Sequence, residues 1–233
     1  MVRSVMLYLH EIIDIVGTGQ ESYLQTVGER GRHSEREGIS RLMGTWKVIG
    51  STNRWPRVVN LWEMDGWGQW AETLERQFLP GKVDAALAPW WAKATEWRSG
   101  GFDRILEPGP GSPTRDQLRA AGLRAWVCVH TIARTQPGQR PAYLAAVTES
   151  LTPLLAERGC TLMGAYSVPM RSDEVVLLWA APDFRHLCRL MDGWDGDPAL
   201  RAWSDRSAAL CVESEAMWLV PSPDCFFHPA SQS

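Results

Sequence analysis

The sequence repeats itself, and this repeat limits the possible folds more than any other feature. The segment LMGTWKV at residues 42–48 reappears as LMGAYSV at residues 162–168. Further along, VVNLW at 58–62 aligns with VVLLW at 175–179, after a shorter loop in the second copy. The matches keep one order, and their spacing changes only at loops. We therefore interpret the chain as two tandem copies of one unit.

A Pro/Gly-rich segment separates the two copies. The run EPGPGSPT at residues 107–114 cannot continue a helix or a strand. The predicted organisation is a first repeat at 1–108, a linker at 109–122, a second repeat at 123–221 and a C-terminal tail at 222–233. Phe226 and Phe227 of the tail are expected to dock on the body of the protein.

Each copy has the pattern of a β-α-β-β-α-β unit. Residues 5–13 and 125–133 alternate as half-buried strands do, and helical spacing follows from Leu144 to Leu155. The LMG and VV segments predict the second and third strands. A helical region and a last strand complete each unit, at 67–95 and 102–107 in the first copy and at 183–210 and 214–220 in the second. This is the ferredoxin-like arrangement.

A unit of this kind covers one face of its sheet with helices and leaves the other face bare. The bare apolar face must be buried, and the second copy of the same sheet is the obvious cover. We therefore predict an α+β fold, in which two tandem ferredoxin-like repeats pack sheet to sheet as an intramolecular dimeric α/β barrel with an internal cavity. The barrel can close without a partner chain, and a homodimer is left open.

The face of each sheet that carries no helices points into the barrel and holds the candidate site. On the first strands this face carries Tyr8 and His10, and in the second copy Cys128 and His130. We predict that His10, His130, Tyr8 and Asn60 are catalytic. The predicted substrate wall consists of Trp46, Trp62, Tyr166, Trp179 and Cys128. Asn60, Trp62 and Trp179 are assigned inward because Val59 and Leu61 are expected to face the helices.

The two histidines have two interpretations. An imidazole near neutral pH can act as a general acid or base. Alternatively, the two side chains hydrogen-bond each other or a backbone carbonyl inside the barrel. Polar residues concentrate in the first copy, where residues 28–38 read GERGRHSEREG and Asn60 replaces Leu177. The working half of a site is therefore expected there, with Glu11 ranked below His10 because it lies on the helix side.

The motifs LMGTWKV and VVNLWEM and their second copies resemble those of the dimeric α/β-barrel superfamily, and within it the NIPSNAP-type proteins. This resemblance implies the barrel fold. The superfamily includes cofactor-free monooxygenases, isomerases and lyases that act on small hydrophobic molecules, as well as haem-dependent enzymes.

Composition excludes some classes of function and favours others. A net charge of −3 and a pI near 6.0 give no basic surface for nucleic acid or an anionic membrane. No apolar run approaches the roughly 18 residues that span a bilayer. The five cysteines have no CxxC spacing, which favours reduced thiols and a cytoplasmic protein. No metal-ligand spacing is present. The thirteen tryptophans suit an aromatic-walled cavity or interface packing.

Three functions follow as hypotheses. The first is a cofactor-independent isomerase, lyase or monooxygenase that uses His acid/base chemistry on a small hydrophobic molecule, aromatic or polyketide-like. The second is a non-catalytic protein that binds a small ligand or a partner. The third is a haem protein in which His10 or His130 is the axial ligand.

Overall fold

The computed structural model describes residues 5–83, 85 and 87–230. Within these residues the first repeat contributes four strands and the second repeat contributes four more. The strands are β1 Leu7–Ile15, β2 Arg41–Val48, β3 Arg57–Met64, β4 Arg98–Pro108, β5 Val127–Thr135, β6 Thr161–Ser167, β7 Glu174–Ala181 and β8 Cys211–Pro221. β1 and β5 begin and end two residues later than the predicted strands at 5–13 and 125–133. The pairing of β1 with β3 continues to Asp14, which lies opposite Arg57 at the start of β3.

Helices connect these strands as the repeat predicts. The described helices are α1 Gln20–Arg36, α2 Trp67–Phe78, α3 Leu87–Ala94, α4 Arg115–Ala120, α5 Arg140–Ala146, α6 Thr152–Glu157, α7 Phe184–Gly193 and α8 Pro198–Leu210. A π-helical turn, Val147–Leu151, joins α5 to α6. Each predicted second helical region is therefore two helices. None of the described helices combines the length and apolar composition required to cross a membrane.

The described strands form a single closed barrel in the order β1-β3-β2-β8-β5-β7-β6-β4. Within each repeat the pairing is long and antiparallel, whereas the two seams between repeats, β2 with β8 and β4 with β6, are short. β1 and β5 lie halfway around the barrel from each other. They run in the same direction, since antiparallel neighbours alternate. The predicted fold, two ferredoxin-like repeats that share one barrel, is confirmed.

Most of each sheet is buried on both faces, whereas the first halves of β4 and β8 are exposed. The barrel interior contains residues from both repeats, among them Tyr8, Trp46 and Tyr166, which are fully buried. The outer face of each sheet packs against its own helices in a separate cluster. Phe227 of the tail is also fully buried and stacks on Trp46, with ring centroids 5.8 Å apart, as predicted for the tail.

The repeated glycine of the LMG motif makes room for an aromatic ring. A β-bulge in β2 lets the Trp46 ring fold back over Gly44, so that a Cβ at Gly44 would lie 2.4 Å from the ring. In the second repeat a Cβ at Gly164 would lie 2.1 Å from the hydroxyl of Tyr166. The glycine of the motif therefore allows an aromatic ring to pack inside the barrel. It occurs twice because each repeat contributes one such ring.

The linker and the tail each cross from one repeat to the other. After β4, the backbone N–H of Gly109 donates to the carbonyl of Ala165 at 2.7 Å. After β8, the N–H of Ser222 donates to the carbonyl of Thr45 at 2.9 Å. The predicted linker also contains the short helix α4, whose N-terminus is closed by a capping box of Thr114 and Gln117.

Candidate functional site

The histidines at corresponding positions of the two repeats meet in the middle of the barrel. His10 on β1 and His130 on β5 are each 1% exposed. Their Nε2 atoms are 2.9 Å apart and the ring planes lie within 8° of parallel. Because one Nε2 must donate and the other accept, the two neutral rings carry their protons on different nitrogens. Of the two interpretations made from the sequence, the geometry matches the mutual hydrogen bond.

The surroundings keep both rings neutral. Burial is the largest cause that lowers the pKa of each imidazole, and for His130 the pKa falls to about 3. The guanidinium of Arg104, opposite His10 across β1 and β4, lowers both pKa values further. Neither Nδ1 atom has a hydrogen-bond partner among the described residues. The hydrogen bond between the two neutral rings joins the first repeat to the second across the barrel.

The predicted inner wall is a set of packed side chains. The Tyr8 hydroxyl donates to Glu63 Oε2 at 2.9 Å, and the ring of Tyr8 contacts that of Tyr166 at 4.9 Å between centroids. Cys128 is fully buried beside Met163, and burial raises the pKa of its thiol. A buried thiol with a raised pKa is not a nucleophile at neutral pH. These residues lie inside the barrel as predicted, where large side chains fill the space around the histidines.

Three of the predicted inward residues lie on the opposite face of the sheet. Directly paired residues of adjacent strands share a face, and His10 pairs with Leu61 rather than with a neighbour of Leu61. Leu61 therefore points inward with His10, and Asn60 and Trp62 point to the helices. The same pairing of His130 with Leu178 places Trp179 on the helix side. The inward assignment of Asn60, Trp62 and Trp179 was wrong.

A haem does not fit at the histidine pair. An axial ligand needs a free imidazole nitrogen and space beside it for a porphyrin. Here the Nε2 atoms bind each other, and although each Nδ1 is unpartnered, both rings are almost fully buried in the core, without the space that a porphyrin needs. No group of three His, Cys, Asp or Glu side chains in the described residues is arranged to hold a metal ion.

The polar residues of the first repeat converge on the helix side of its sheet, around Glu11. The carboxylate of Glu11 accepts hydrogen bonds from Trp62 Nε1 at 2.7 Å and from Asn60 Nδ2 at 3.1 Å. Asn60 is held in turn by the hydroxyl of Thr45, which donates to its Oδ1 at 2.6 Å. Tyr23 of α1 reaches Asn60 at 3.5 Å. We call Glu11, Asn60, Trp62 and Tyr23 the Glu11 cluster.

The Glu11 carboxyl is electrostatically unusual. Burial raises its pKa, and the nearby carboxylate of Asp103, directly opposite on β4, raises it further. The hydrogen bonds from Trp62 and Asn60 and the charge of Arg98 act in the opposite direction. Two carboxyl groups side by side, one of them buried, form an arrangement that suits proton transfer.

The second repeat has an open groove at the equivalent place. The first half of β8, residues 212–216, is exposed because the helices do not cover it. Beside it lies a cavity of about 620 Å³ between the sheet and helices α5, α7 and α8. We call it the repeat-2 groove. Its aromatic and apolar walls include Tyr143, Trp179, Met191, Trp194 and Trp203.

Polar side chains interrupt the mostly apolar wall of the repeat-2 groove, among them the carboxylate of Glu213. Trp194 Nε1 donates to the hydroxyl of Ser204 at 2.9 Å. The Tyr143 hydroxyl lies beside Ser207 and Cys211, and burial raises the pKa of Tyr143 to about 12. A mostly apolar cavity of several hundred Å³ with a few polar groups is typical of a small-molecule site.

The Glu11 cluster and the repeat-2 groove occupy the same position in the two repeats. Thr131 stands where the first repeat has Glu11, and Leu177 stands where it has Asn60. The expected concentration of polarity in the first repeat is therefore present, but on the outer face of the sheet. One sequence signal pointed there: Glu11 is a charged residue in the otherwise apolar stripe of Leu7, Leu9 and Ile13.

Solved structures with similar architecture cover almost the whole chain. A candidate monooxygenase from Lactobacillus acidophilus has a TM-score of 0.64 at 10% identity, covering 94% of each chain. An anthrone oxidase-like protein has a TM-score of 0.60 at 12% identity, covering 94% of this chain and 92% of that one. The chain has the dimeric α/β-barrel fold.

Other matches include a chlorite dismutase variant from Candidatus Nitrospira defluvii, with a TM-score of 0.55 at 10% identity, covering 96% of this chain and 94% of that one. A NIPSNAP domain protein from Burkholderia xenovorans matches 41% of this chain and 94% of its own, at 21% identity and a TM-score of 0.37. The full-length matches confirm the barrel fold that the resemblance of the repeated motifs implied. No protein-family profile and no curated protein matches the sequence.

Proposed function

We propose that this protein binds a small, flat, hydrophobic molecule, aromatic or polyketide-like, in the repeat-2 groove. The observation that supports this proposal is the cavity of about 620 Å³ walled by three tryptophans, Trp179, Trp194 and Trp203. Cavities of roughly 300–1,000 Å³ enclose drug-sized ligands. Indole rings offer large flat faces at a low cost in side-chain entropy, so the walls favour a planar partner.

The few polar groups of the groove would set the orientation of such a molecule. The Tyr143 hydroxyl, with its pKa near 12, stays protonated at neutral pH and is a hydrogen-bond donor. A ligand carbonyl or phenol oxygen is a suitable acceptor. The anthrone oxidase-like protein shares the fold, and anthrone is a planar tricyclic ketone, so anthrone is a reasonable first probe.

Replacing Ser204 by Trp is expected to weaken anthrone binding strongly. Ser204 lies on the exposed face of α8 at the edge of the groove, and the first repeat carries Trp91 at the equivalent position. The new ring would occupy the ligand space, so we expect affinity to fall on the order of 100-fold, about 2.7 kcal/mol. Equilibrium dialysis of anthrone against the purified protein measures the change.

Ser204→Ala is the matched control for this experiment. It removes only the hydroxyl that accepts the bond from Trp194 and leaves the groove open. We expect it to bind anthrone within about threefold of the unaltered protein. Equal binding by the Ser204→Trp variant would show that the ligand does not occupy the repeat-2 groove. If no planar aromatic probe binds the unaltered protein, the proposal fails.

A second function is favoured by a separate observation, the Glu11 cluster. The coupling of a buried carboxyl to Asp103 suits a general base that removes a proton from a carbon next to a carbonyl group. The tryptophan-rich surroundings suit a hydrophobic substrate. This is the cofactor-independent enzyme expected from the sequence, with Glu11 in place of His10 as the acid/base group.

Glu11→Gln is expected to lower turnover by at least about 100-fold, the usual contribution of a general base. With anthrone as substrate, the reaction consumes one O₂ and releases anthraquinone and water, so oxygen uptake reports the rate. Glu11 is the active base above its raised pKa, so the rate should rise with pH through that value. Asp103→Asn removes the neighbouring charge and should move this rise to lower pH.

The outcomes separate the two functions. Binding without turnover supports the binding function alone. Turnover that persists in Glu11→Gln would exclude Glu11 as the base. His10→Leu serves as a further control, since the sequence ranked His10 first, and it should keep its turnover if the protein remains folded.

We also propose a reducing compartment, the cytoplasm, as the place of action. All five cysteines lie within the described residues and are unpaired, and Cys128, Cys160 and Cys225 are buried. Thiol titration should find five free thiols after denaturation without reductant.

We also propose that the chain forms a homodimer. Light scattering after size-exclusion chromatography tests this proposal.

A further inference from the structure

An arginine-rich cavity lies where the linker and the tail cross the first repeat. It has a volume of about 490 Å³ and opens between α1, β2, α4 and the start of the tail. Within the described part of the chain, its charged lining consists of Arg32, Arg115, Arg119, Arg124, Glu35 and Asp224. We call it the arginine cavity. Four cations against two carboxylates leave an excess of positive charge.

Two of the arginines are already neutralised. Arg115 forms a bidentate pair with Glu35, with N–O distances of 2.9 and 3.0 Å, and Arg32 pairs with Asp224 at 2.7 Å. In the described structure, Arg119 and Arg124 have no carboxylate within ion-pair distance. Arg124 donates to a backbone carbonyl, and Arg119 lies over the ring of Phe226 at 5.7 Å. The excess charge therefore resides on these two side chains.

A buried donor in the same cavity is unsatisfied. The Arg115 side chain is 9% exposed, and its Nε atom has no hydrogen-bond partner among the described residues. A buried N–H without an acceptor destabilises the folded state. A bound anion would reach this atom only after a shift of the Arg115 side chain, whereas Arg119 and Arg124 line the cavity and have no carboxylate partner in the described structure.

The cavity is a specific feature of the first repeat. Gly28 and Gly31 of α1 line it, and a Cβ at Gly28 would lie 2.3 Å from the Asp224 carboxylate. Gly28 thus lets the tail approach the helix. The second repeat has Leu151 and Leu155 where the first has Gly31 and Glu35, and both leucines are buried. This accounts for the polar run GERGRHSEREG, which neither proposed function uses.

We propose that the arginine cavity binds a small molecule carrying a phosphate or pyrophosphate group. Guanidinium groups match phosphate oxygens in planar, paired hydrogen bonds, and Arg119 and Arg124 present two of them without competing carboxylates. The volume of about 490 Å³ has room for more than a bare anion, so it accommodates the organic part of a phosphate ester. Binding would hold the linker, the tail and α1 together.

Isothermal titration with inorganic pyrophosphate in low-salt buffer tests the site. We expect measurable binding by the unaltered protein and a loss of about tenfold or more in Arg119→Ala/Arg124→Ala. Arg134→Ala/Arg201→Ala is the matched control, because it removes the same charge from exposed positions elsewhere and should bind as before. Arg119 and Arg124 are also exposed, so the test variant should fold.

The remaining outcomes also decide the question. No pyrophosphate binding by the unaltered protein overturns the proposal, as does equal weakening in the control variant, which would reflect net charge alone. Citrate is the second probe, and tighter binding of citrate than of pyrophosphate would overturn the assignment to phosphate. Added pyrophosphate should also raise the unfolding temperature of the unaltered protein but not of Arg119→Ala/Arg124→Ala.

Discussion

Lowering the pH from 7 to 4 is expected to cost the protein several kcal/mol of stability through the histidine pair. In the unfolded chain each imidazole has a pKa near 6.5, whereas burial lowers it in the folded barrel. Below pH 6.5 the imidazoles of the unfolded chain therefore bind protons, whereas those of the folded chain stay neutral. The free energy of unfolding falls as a result. For His130, with a folded pKa near 3, the loss by pH 4 is about 3 kcal/mol, at about 1.4 kcal/mol per pH unit.

The measurement is urea unfolding at several pH values between 7 and 4. The control is the double variant His10→Leu/His130→Leu, which keeps the bulk of both side chains and should lose most of this acid sensitivity. At pH 7 each single variant should cost roughly 1–3 kcal/mol, because it leaves one buried Nε2 without its partner. The double variant should cost less than the two single variants together. An unchanged acid response in it would refute the assigned pKa shifts.

Gly44→Ala and Gly164→Ala are each expected to destabilise the protein by about 3 kcal/mol. The added methyl group would lie 2.4 Å from the Trp46 ring in the first case and 2.1 Å from the Tyr166 hydroxyl in the second. Both aromatic side chains are fully buried, so neither can swing away. Overpacking a core usually costs about 1–3 kcal/mol and occasionally more. Thermal and urea unfolding report the loss.

Gly68→Ala provides the control for the glycine variants. A Cβ at Gly68 meets nothing within 4 Å, and the residue lies in helix α2. Alanine favours a helix over glycine by up to about 1 kcal/mol, so this variant should be neutral or stabilised. If Gly44→Ala were as stable as Gly68→Ala, the close approach of the Trp46 ring would not be what requires glycine in the motif.

Some parts of the candidate sites could be predicted from the sequence and others could not. The meeting of His10 and His130 followed from the repeat, since equivalent inward positions on opposite strands approach the same axis. The repeat does not reveal which side chains of β3 point into the barrel and which point to the helices. Seven consecutive residues of β3, 58–64, are buried, so alternation does not distinguish the two faces of this strand. Asn60 and Trp62 were misassigned for that reason.

The two cavities on the outer surface depend on contacts that no local pattern reports. The repeat-2 groove exists because α7 and α8 leave half of β8 uncovered, which is a matter of helix placement rather than of strand sequence. The arginine cavity brings together residues of α1, the linker and the tail that are far apart along the chain. The run GERGRHSEREG indicated something unusual in α1, but its partners became visible only in the folded protein.

By itself, the sequence determined the duplication and therefore the barrel. Each unit has a sheet with two apolar faces and helices enough to cover one of them, and burial of the second face requires the other copy. The tertiary structure alone decided that Asn60 and Trp62 lie on the helix side, where they meet Glu11. Strand register, set by the pairing of β1 with β3, places Asn60 opposite Glu11 and Leu61 opposite His10. Hydrogen bonds between the strands fix this register. The sequence of β3 does not reveal it, because residues 58–64 are all buried and do not alternate between two faces.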